Sequence, residues 1–381
     1  MDEKLNILYV ANSRIPTEKA HGKQIAETCQ ALADKGCNIL LLLPARKNYI
    51  TENIFDFYGL RRNFAVKKLT CLDLLFLPFG KSLFFFIQSV TFALSTIFFC
   101  LWTNKKFDIV YTRDLLLAGL LSFGRRAIFV EIHDFPAKST FIHHMMWRKV
   151  KGIIVISQGL KEELVKQGIT DEKILVARDG VRLEEFDIDI SRKEARLRLN
   201  LDLYKKIVLY TGHLYDWKGA DLLAEAATNM SLDVRIYIVG GTAEDVTNFK
   251  RKFKAPNLFI VGHRPPQEIP IWLKAADLLV LPNRADKKIS SHYTSPLKLF
   301  EYMASDTPMI VSDLPSLREV VGDNEAVFFT PGNKNDLTQK IITGINNKES
   351  LTAGARLVQT TVRQYSWENR SKLIKKFILD Q

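Results

Sequence analysis

Ser291-His-Tyr-Thr-Ser-Pro-Leu-Lys-Leu-Phe-Glu-Tyr-Met-Ala304 reads as a loop turning into a helix, downstream of an apolar strand, Asp277-Leu-Leu-Val-Leu-Pro282. Ser295 is expected as the N-cap and Pro296 as the first helical residue, where its missing N–H costs nothing. The amides of Leu297 and Lys298 then lack a partner inside the helix. They lie at the positive end of its dipole, a prepared site for a phosphate. Lys298 adds an ammonium, and Glu301, one turn on, is placed to accept hydrogen bonds from a ribose diol. An ordinary capped helix with an i,i+3 Lys–Glu pair would use the same residues, so the surroundings must decide.

Upstream, strands over 206–210, 234–239 and 257–261 alternate with helices over 219–230, 242–253 and 266–276. Downstream the series continues through 308–312, 315–321 and 326–329. A second anion-binding candidate heads this half: Thr211-Gly212-His213-Leu214-Tyr215-Asp216-Trp217-Lys218-Gly219. Gly212 permits close backbone approach after a strand. Lys218 stands where the loop enters a helix, well placed for a diphosphate, although the stretch is no Walker motif. Two such sites in one half-chain are hard to attribute to chance.

The first half repeats the alternation. Short, continuously apolar strands over 6–11, 38–43, 108–112, 127–131, 152–156 and 173–177 suit a parallel sheet covered on both faces. Gly22 is expected just ahead of the first helix, where its backbone could approach a phosphate. No GxGxxG is present, which disfavours a dinucleotide site. The 127–131 strand runs into Ile132-His133-Asp134, putting His133 on the ligand-binding edge of such a sheet. A helix is expected over 115–123. A charged linker over 182–204 holds Asp187-Ile-Asp189, in which a solvated acidic pair outweighs a metal site. The fold class is therefore α/β, with two Rossmann-like βαβ domains facing a central cleft. The domains are expected at 1–185 and 186–363, with a last helix, about 364–381, packing back on the first.

The 381 residues suffice for two domains, and 47% hydrophobic with 25% charged residues is a globular composition. A net charge of +12 favours anionic partners. The basic runs are short and lack interleaved aromatics, so no nucleic-acid partner is expected. Cys29, Cys37, Cys71 and Cys100 form no CxxC pair and have no metal-ligand spacing, which fits a reducing, cytoplasmic setting. The lead Met1-Asp2-Glu3-Lys4 does not read as a signal peptide. The stretch 82–102 carries no charge and has the length of a membrane span, but strands of one sheet flank it on both sides. One or two partly buried helices are expected there, with 74–102 available for peripheral membrane contact. A wholly buried core helix is the alternative.

The chain resembles the retaining glycosyltransferases of the GT-B fold, family 4 (glycosyl transferases group 1), over nearly its whole length. The resemblance rests on Gly212…Lys218-Gly219, the 277–282 strand, Ser295–Ala304, the segment Pro308-Met-Ile-Val-Ser-Asp-Leu-Pro-Ser-Leu-Arg-Glu-Val-Val321, and Asp179-Gly180-Val181. It implies sugar transfer from a nucleotide-diphosphate sugar, UDP- or GDP-linked, to a saccharide or lipid-linked acceptor, without metal or other cofactor. By position it assigns Glu301 to the ribose, Lys218 to the diphosphate, and the Leu297 and Lys298 amides to the distal phosphate. It further assigns His133 to the transferred sugar, Gly22 to the diphosphate, and His263 and Arg264 to the base. Such enzymes often carry two glutamates with seven residues between them. Here Tyr293 stands where the first would fall, either offering a hydroxyl in place of a carboxylate or simply packing. A sugar-nucleotide epimerase or hydrolase would share the donor residues, and a non-catalytic membrane-associated assembly protein would keep the fold.

Overall fold

The computed structural model describes residues 4–77, 79–122, 126–136 and 139–381. Two compact units result: Met1–Ile156, Leu160–Arg178 and Trp367–Gln381 form the first, and Ser157–Gly159 with Asp179–Ser366 the second.

The first unit is built on seven strands: β1 (Asn6–Val10), β2 (Asn38–Pro44), β3 (Ala65–Leu69), β4 (Ile109–Thr112), β5 (Ala127–Ile132), β6 (Gly152–Val155) and β7 (Ile174–Val176). Their order is β3-β2-β1-β4-β5-β6-β7, and every pair is parallel. The chain works outward from β1 to β3 and then returns to β4. The switch point therefore lies between β1 and β4, where the carboxyl ends of parallel strands open a crevice. Strand β3 went unread in the sequence: Ala-Val-Lys-Lys-Leu is an edge strand, and its exposed lysines guard the edge while erasing the apolar signal.

Helix Ala20–Asp34 buries Ile25, Ala26, Cys29 and Leu32 against this sheet. The stretch 82–102 lies in one helix, Lys81–Trp102. Gln88, Phe92, Thr96 and Cys100, at i+4 spacing, make its buried stripe, and the Gln88 amide donates to Asn12 Oδ1 at 2.9 Å. Leu83, Phe86, Leu94, Phe98, Leu101 and Trp102 remain exposed, so it is not a wholly buried core helix. The helix is long and apolar enough to cross a membrane by length and composition. Its flanking strands, β3 and β4, belong to one sheet. The next helix is Leu115–Leu121; its expected end at Phe123 lies outside the described residues, as does the lead Met1–Glu3.

The second unit carries β8 (Lys206–Thr211), β9 (Val234–Val239), β10 (Leu258–Gly262), β11 (Leu278–Leu281), β12 (Met309–Ser312) and β13 (Val327–Phe329). These too are parallel, in the order β10-β9-β8-β11-β12-β13, with the switch point between β8 and β11. Leu209, Leu279, Leu281 and Val311 fill one face, and Val208, Tyr210, Ile236, Val280 and Ile310 the other.

The charged stretch expected as a linker is instead part of this unit. Ser191 and Glu194 form a capping box that starts helix Arg192–Arg198. Arg196 is buried, donating to the Ala275 carbonyl at 3.0 Å and pairing with Asp277 at 2.6 Å. Asp187 and Asp189 are exposed. At the far end, the Val181 amide donates to the Tyr365 carbonyl at 3.0 Å. The chain then breaks at Ser366 and enters helix Trp367–Asp380 of the first unit. That helix packs on Ala20–Asp34, with Lys35 reaching Glu368 at 2.6 Å.

Candidate functional site

In the second unit, the loops leaving β8, β9 and β11 converge. Gly212 has φ +130° and donates its N–H to the Val239 carbonyl at 2.8 Å. A Cβ on Gly240 would sit 2.2 Å from the Gly212 carbonyl oxygen, so the two loop backbones pass with no room for a side chain. Gly240 is a site-building residue that the sequence reading missed, and a glycine directly after an apolar strand was its one signal. Lys218 closes a 3₁₀ turn, Asp216–Lys218, and Gly219 follows with φ +68°. A Cβ there would lie 1.8 Å from the Pro282 oxygen. Gly219→Ala is therefore expected to destabilise this unit by ~2 kcal/mol or more, read as a lowered urea midpoint.

The helix of the opening stretch runs Leu297–Ala304, and its N-cap position is Pro296, not Ser295. A π-helical turn, Ile289–Tyr293, precedes it, and residues 294–296 are extended between the two. Ser295 thus sits one residue too early to cap, and its hydroxyl accepts instead from the Asp179 amide at 3.0 Å. Leu297 and Lys298, as the first two helical residues, still have no carbonyl to reach within the helix. The Tyr302 hydroxyl, accepting from the Thr211 amide at 2.8 Å, ties this helix to the end of β8. Burial pushes that phenol far above its ordinary range, so it stays neutral.

This tie brings Lys298 beside Lys218. The Lys298 side chain is 7% exposed, and its Nζ lies 4.1 Å from the Tyr210 ring centroid. Among the described residues Nζ has no hydrogen-bond partner. Burial, then the Lys218 charge, push its pKa well down, with Glu301 opposing. Lys218 is half-buried, 5.5 Å from the Tyr215 ring centroid and 5.3 Å from that of Trp217. Burial lowers its pKa to about 8, again against Glu301. Two ammonium groups thus lean on one carboxylate in a desolvated corner, an arrangement that a bound polyanion would relieve. Asn283, past β11, is fully buried, and among the described residues neither side-chain amide atom has a partner.

Other predicted residues fall elsewhere. His263 and Arg264 are exposed beyond edge strand β10, with Arg264 Nε 3.9 Å from Glu268. Tyr293 is buried at the end of the π-helical turn.

In the first unit, Gly22 is inside helix Ala20–Asp34 rather than ahead of it. A Cβ there would meet the Tyr58 hydroxyl at 2.1 Å, and that hydroxyl donates to the Thr17 carbonyl at 2.7 Å. Close packing therefore gives this glycine a reason of its own. His133 follows β5, its side chain 20% exposed, with Nε2 on the Glu131 carboxylate. Burial and the Arg113 charge lower its pKa to about 3, so the imidazole is neutral. Among the described residues no group of three or more His, Cys, Asp or Glu side chains is placed to hold a metal ion.

Comparison with known proteins adds to this geometry. Residues 205–347 match the family model described as glycosyl transferases group 1. The matched residues lie within the second unit. TuaC of Bacillus subtilis (strain 168), provisionally named a teichuronic acid biosynthesis glycosyltransferase, is 26% identical over 191 residues, 50% of this chain and 45% of its own. A D-inositol 3-phosphate glycosyltransferase of Xylanimonas cellulosilytica is 25% identical over 224 residues, 54% of this chain and 51% of its own. The chain thus spans about half the length of these curated relatives. The Anabaena protein Alr3699/HepE, solved in complex with UDP-glucose, superposes with a TM-score of 0.76 at 16% identity, covering 99% of this chain and 100% of that one. The fold is GT-B. The span that matches the family model takes in Lys218, Lys298 and Glu301, and leaves His133 outside its bounds.

Proposed function

We propose that this protein is a retaining, family 4 glycosyltransferase that moves a sugar from a nucleotide-diphosphate sugar to an acceptor hydroxyl. The observation that carries this is the buried Lys298 ammonium, without a hydrogen-bond partner among the described residues and beside Lys218 at a helix start. A diphosphate would supply the missing counter-charge. Lys218, Lys298 and the Leu297 and Lys298 amides hold it, while Glu301 accepts from the ribose. His263 and Arg264 take the base. UDP- and GDP-sugars are the donors to try first. A thermal-shift screen across UDP, GDP, ADP and CMP tests the site, and no shift with any of them would sink it.

In the proposed reaction the acceptor oxygen bonds to the anomeric carbon as that carbon's bond to the phosphate oxygen breaks. The departing diphosphate takes the acceptor's proton. Attack from the same face keeps the anomeric configuration. The lysines stabilise charge where it develops, which is electrostatic preorganisation. They supply it without a metal, so EDTA is expected to leave turnover unchanged. His133 orients the transferred sugar, and His133→Ala is expected to lower kcat more than donor affinity. A sugar-nucleotide epimerase would convert the donor with no acceptor present, the outcome that would replace this reading.

The acceptor is a saccharide or lipid-linked molecule of the cell envelope, met on the cytoplasmic face of a membrane. Support comes from the exposed apolar side of helix Lys81–Trp102 and the +12 net charge. Phe85→Asp with Phe98→Asp is expected to abolish co-sedimentation with anionic vesicles, and undiminished sedimentation would end this part of the proposal.

A further inference from the structure

Tyr9, Tyr111 and Phe129 stand in register across β1, β4 and β5 on one face of the first sheet. Glu131 comes next on that face, two residues up β5. It is 2% exposed, and among the described residues it meets Tyr111, His133, Arg113 and Arg370. From β4, the Tyr111 hydroxyl donates to it, with the Tyr9 ring 4.9 Å behind. Arg113, just past β4, brings Nε to 3.7 Å. From the C-terminal helix, Arg370 places Nη2 3.0 Å from Oε2. Arg370 is itself held, donating from Nη1 to Thr28 Oγ1 at 3.0 Å and from Nε to the Ala177 carbonyl at 3.4 Å. Cys29, from helix Ala20–Asp34, also faces the carboxylate, with its thiol pushed well up by burial and then by Glu131. Burial alone would raise the Glu131 pKa, but Arg370, His133 and Arg113 hold it well below its ordinary value.

A buried ion pair is a poor stability device, since well-packed apolar residues do as well or better. Of the side chains this carboxylate meets, His133 is one that reaches solvent. We propose that Glu131 and Arg370 are positioning residues that fix His133 as its Nε2–H tautomer and leave Nδ1 as the ring's acceptor. An ionised carboxylate can only accept, so the ring nitrogen facing it must carry the hydrogen. Arg113 and Arg370 set positive charge beside the ring and oppose a second proton. His133 is therefore held in one tautomer by a helix from the other end of the chain. Resting on the sugar-facing role proposed above, its partner is a hydroxyl that donates to Nδ1.

Full-length protein labelled with ¹⁵N-histidine tests this, with His133 assigned by its loss in His133→Asn. The wild-type ring is expected to show a single Nε2–H tautomer that does not titrate between pH 8 and 5. Glu131→Met with Arg370→Met keeps the volume apolar and removes both charges. In that variant both tautomers are expected, because no carboxylate is left to choose between the ring nitrogens. If it does not fold, Glu131→Gln replaces it: the neutral amide can accept or donate, and mixed tautomers are again expected. Arg370→Lys is expected to preserve the single tautomer. A wild-type ring that titrates between pH 5 and 8, or a folded Glu131→Met/Arg370→Met or Glu131→Gln variant keeping one Nε2–H form, would overturn the proposal. Turnover is read separately. A shifted tautomer with unchanged turnover upholds the positioning pair and removes His133 from the reaction.

Discussion

Exchanging Lys298 for methionine is expected to raise the unfolding midpoint of the second unit while weakening nucleoside diphosphate binding at least tenfold. The ammonium is buried over Tyr210, has no hydrogen-bond partner among the described residues and stands close to Lys218. Methionine keeps the length and apolar stem of the side chain and removes a charge that burial penalises, worth ~1–2 kcal/mol by analogy with other buried charges replaced by apolar groups. The same charge is what a diphosphate would meet. A hydrogen bond to a charged partner contributes ~1.5–3 kcal/mol, which corresponds to the expected loss of affinity. Calorimetric titration with UDP and a melting curve of the same sample read both effects. A lower midpoint with unaltered affinity would contradict the assignment. Lys218→Ala and Glu301→Ala are each expected to cut transfer at least tenfold.

Lys218 adds a pH signature. Its pKa in the folded chain is about 8, below the ordinary lysine value. Between the two values the unfolded chain binds more protons, so this group's contribution to stability rises with pH through that window. Anion affinity runs the other way and is expected to fall as pH rises through about 8, with a proton taken up on binding. Titration in two buffers of different ionisation heat measures that uptake.

Arg370→Met is expected to cost the first unit ~3–5 kcal/mol, because it leaves Glu131 buried with its main counter-charge gone. The double variant with Glu131→Met should recover most of that loss, whereas two independent contacts would give additive losses. Acid should act on the same group. Glu131 is held below its ordinary pKa in the folded chain, so the stability it contributes is present above the unfolded value and lost as pH falls. His133, lowered to about 3, works in the same direction. From about 6.5 downward the unfolded histidine takes a proton that the folded one refuses. Urea unfolding at about pH 5 and about pH 3 should show a larger drop in wild type than in the double variant, which has no Glu131 to protonate.

Much of the architecture was legible because it is locally encoded. Runs such as Ile7–Val10 and Leu278–Leu281 are apolar without alternation, the mark of strands covered on both faces. The helix start at Leu297, Lys218 before its glycine, and His133 past a strand end could be found by the same local rules. Where the reading failed, a nonlocal contact had outweighed a local preference. Ser295 has the chemistry of a cap but spends its hydroxyl on Asp179. Gly22 was expected ahead of a helix, and it lies inside one, packed against Tyr58. The charged 182–204 stretch looked like a tether, until Arg196 found Asp277.

The sequence by itself determined two βα-alternating halves and the residue types that gather at their strand ends. Hydrophobic periodicity and helix-end chemistry act over a few residues and need no knowledge of the fold. Tertiary structure alone decided which of those groups carry strained charge. Lys298 is an ordinary helix lysine until Tyr302 anchors its helix at β8 beside Lys218. Glu131 is an ordinary strand residue until helix Trp367–Asp380 returns with Arg370. Desolvation and counter-charge depend on what surrounds a side chain in space, and here those neighbours come from opposite ends of a unit.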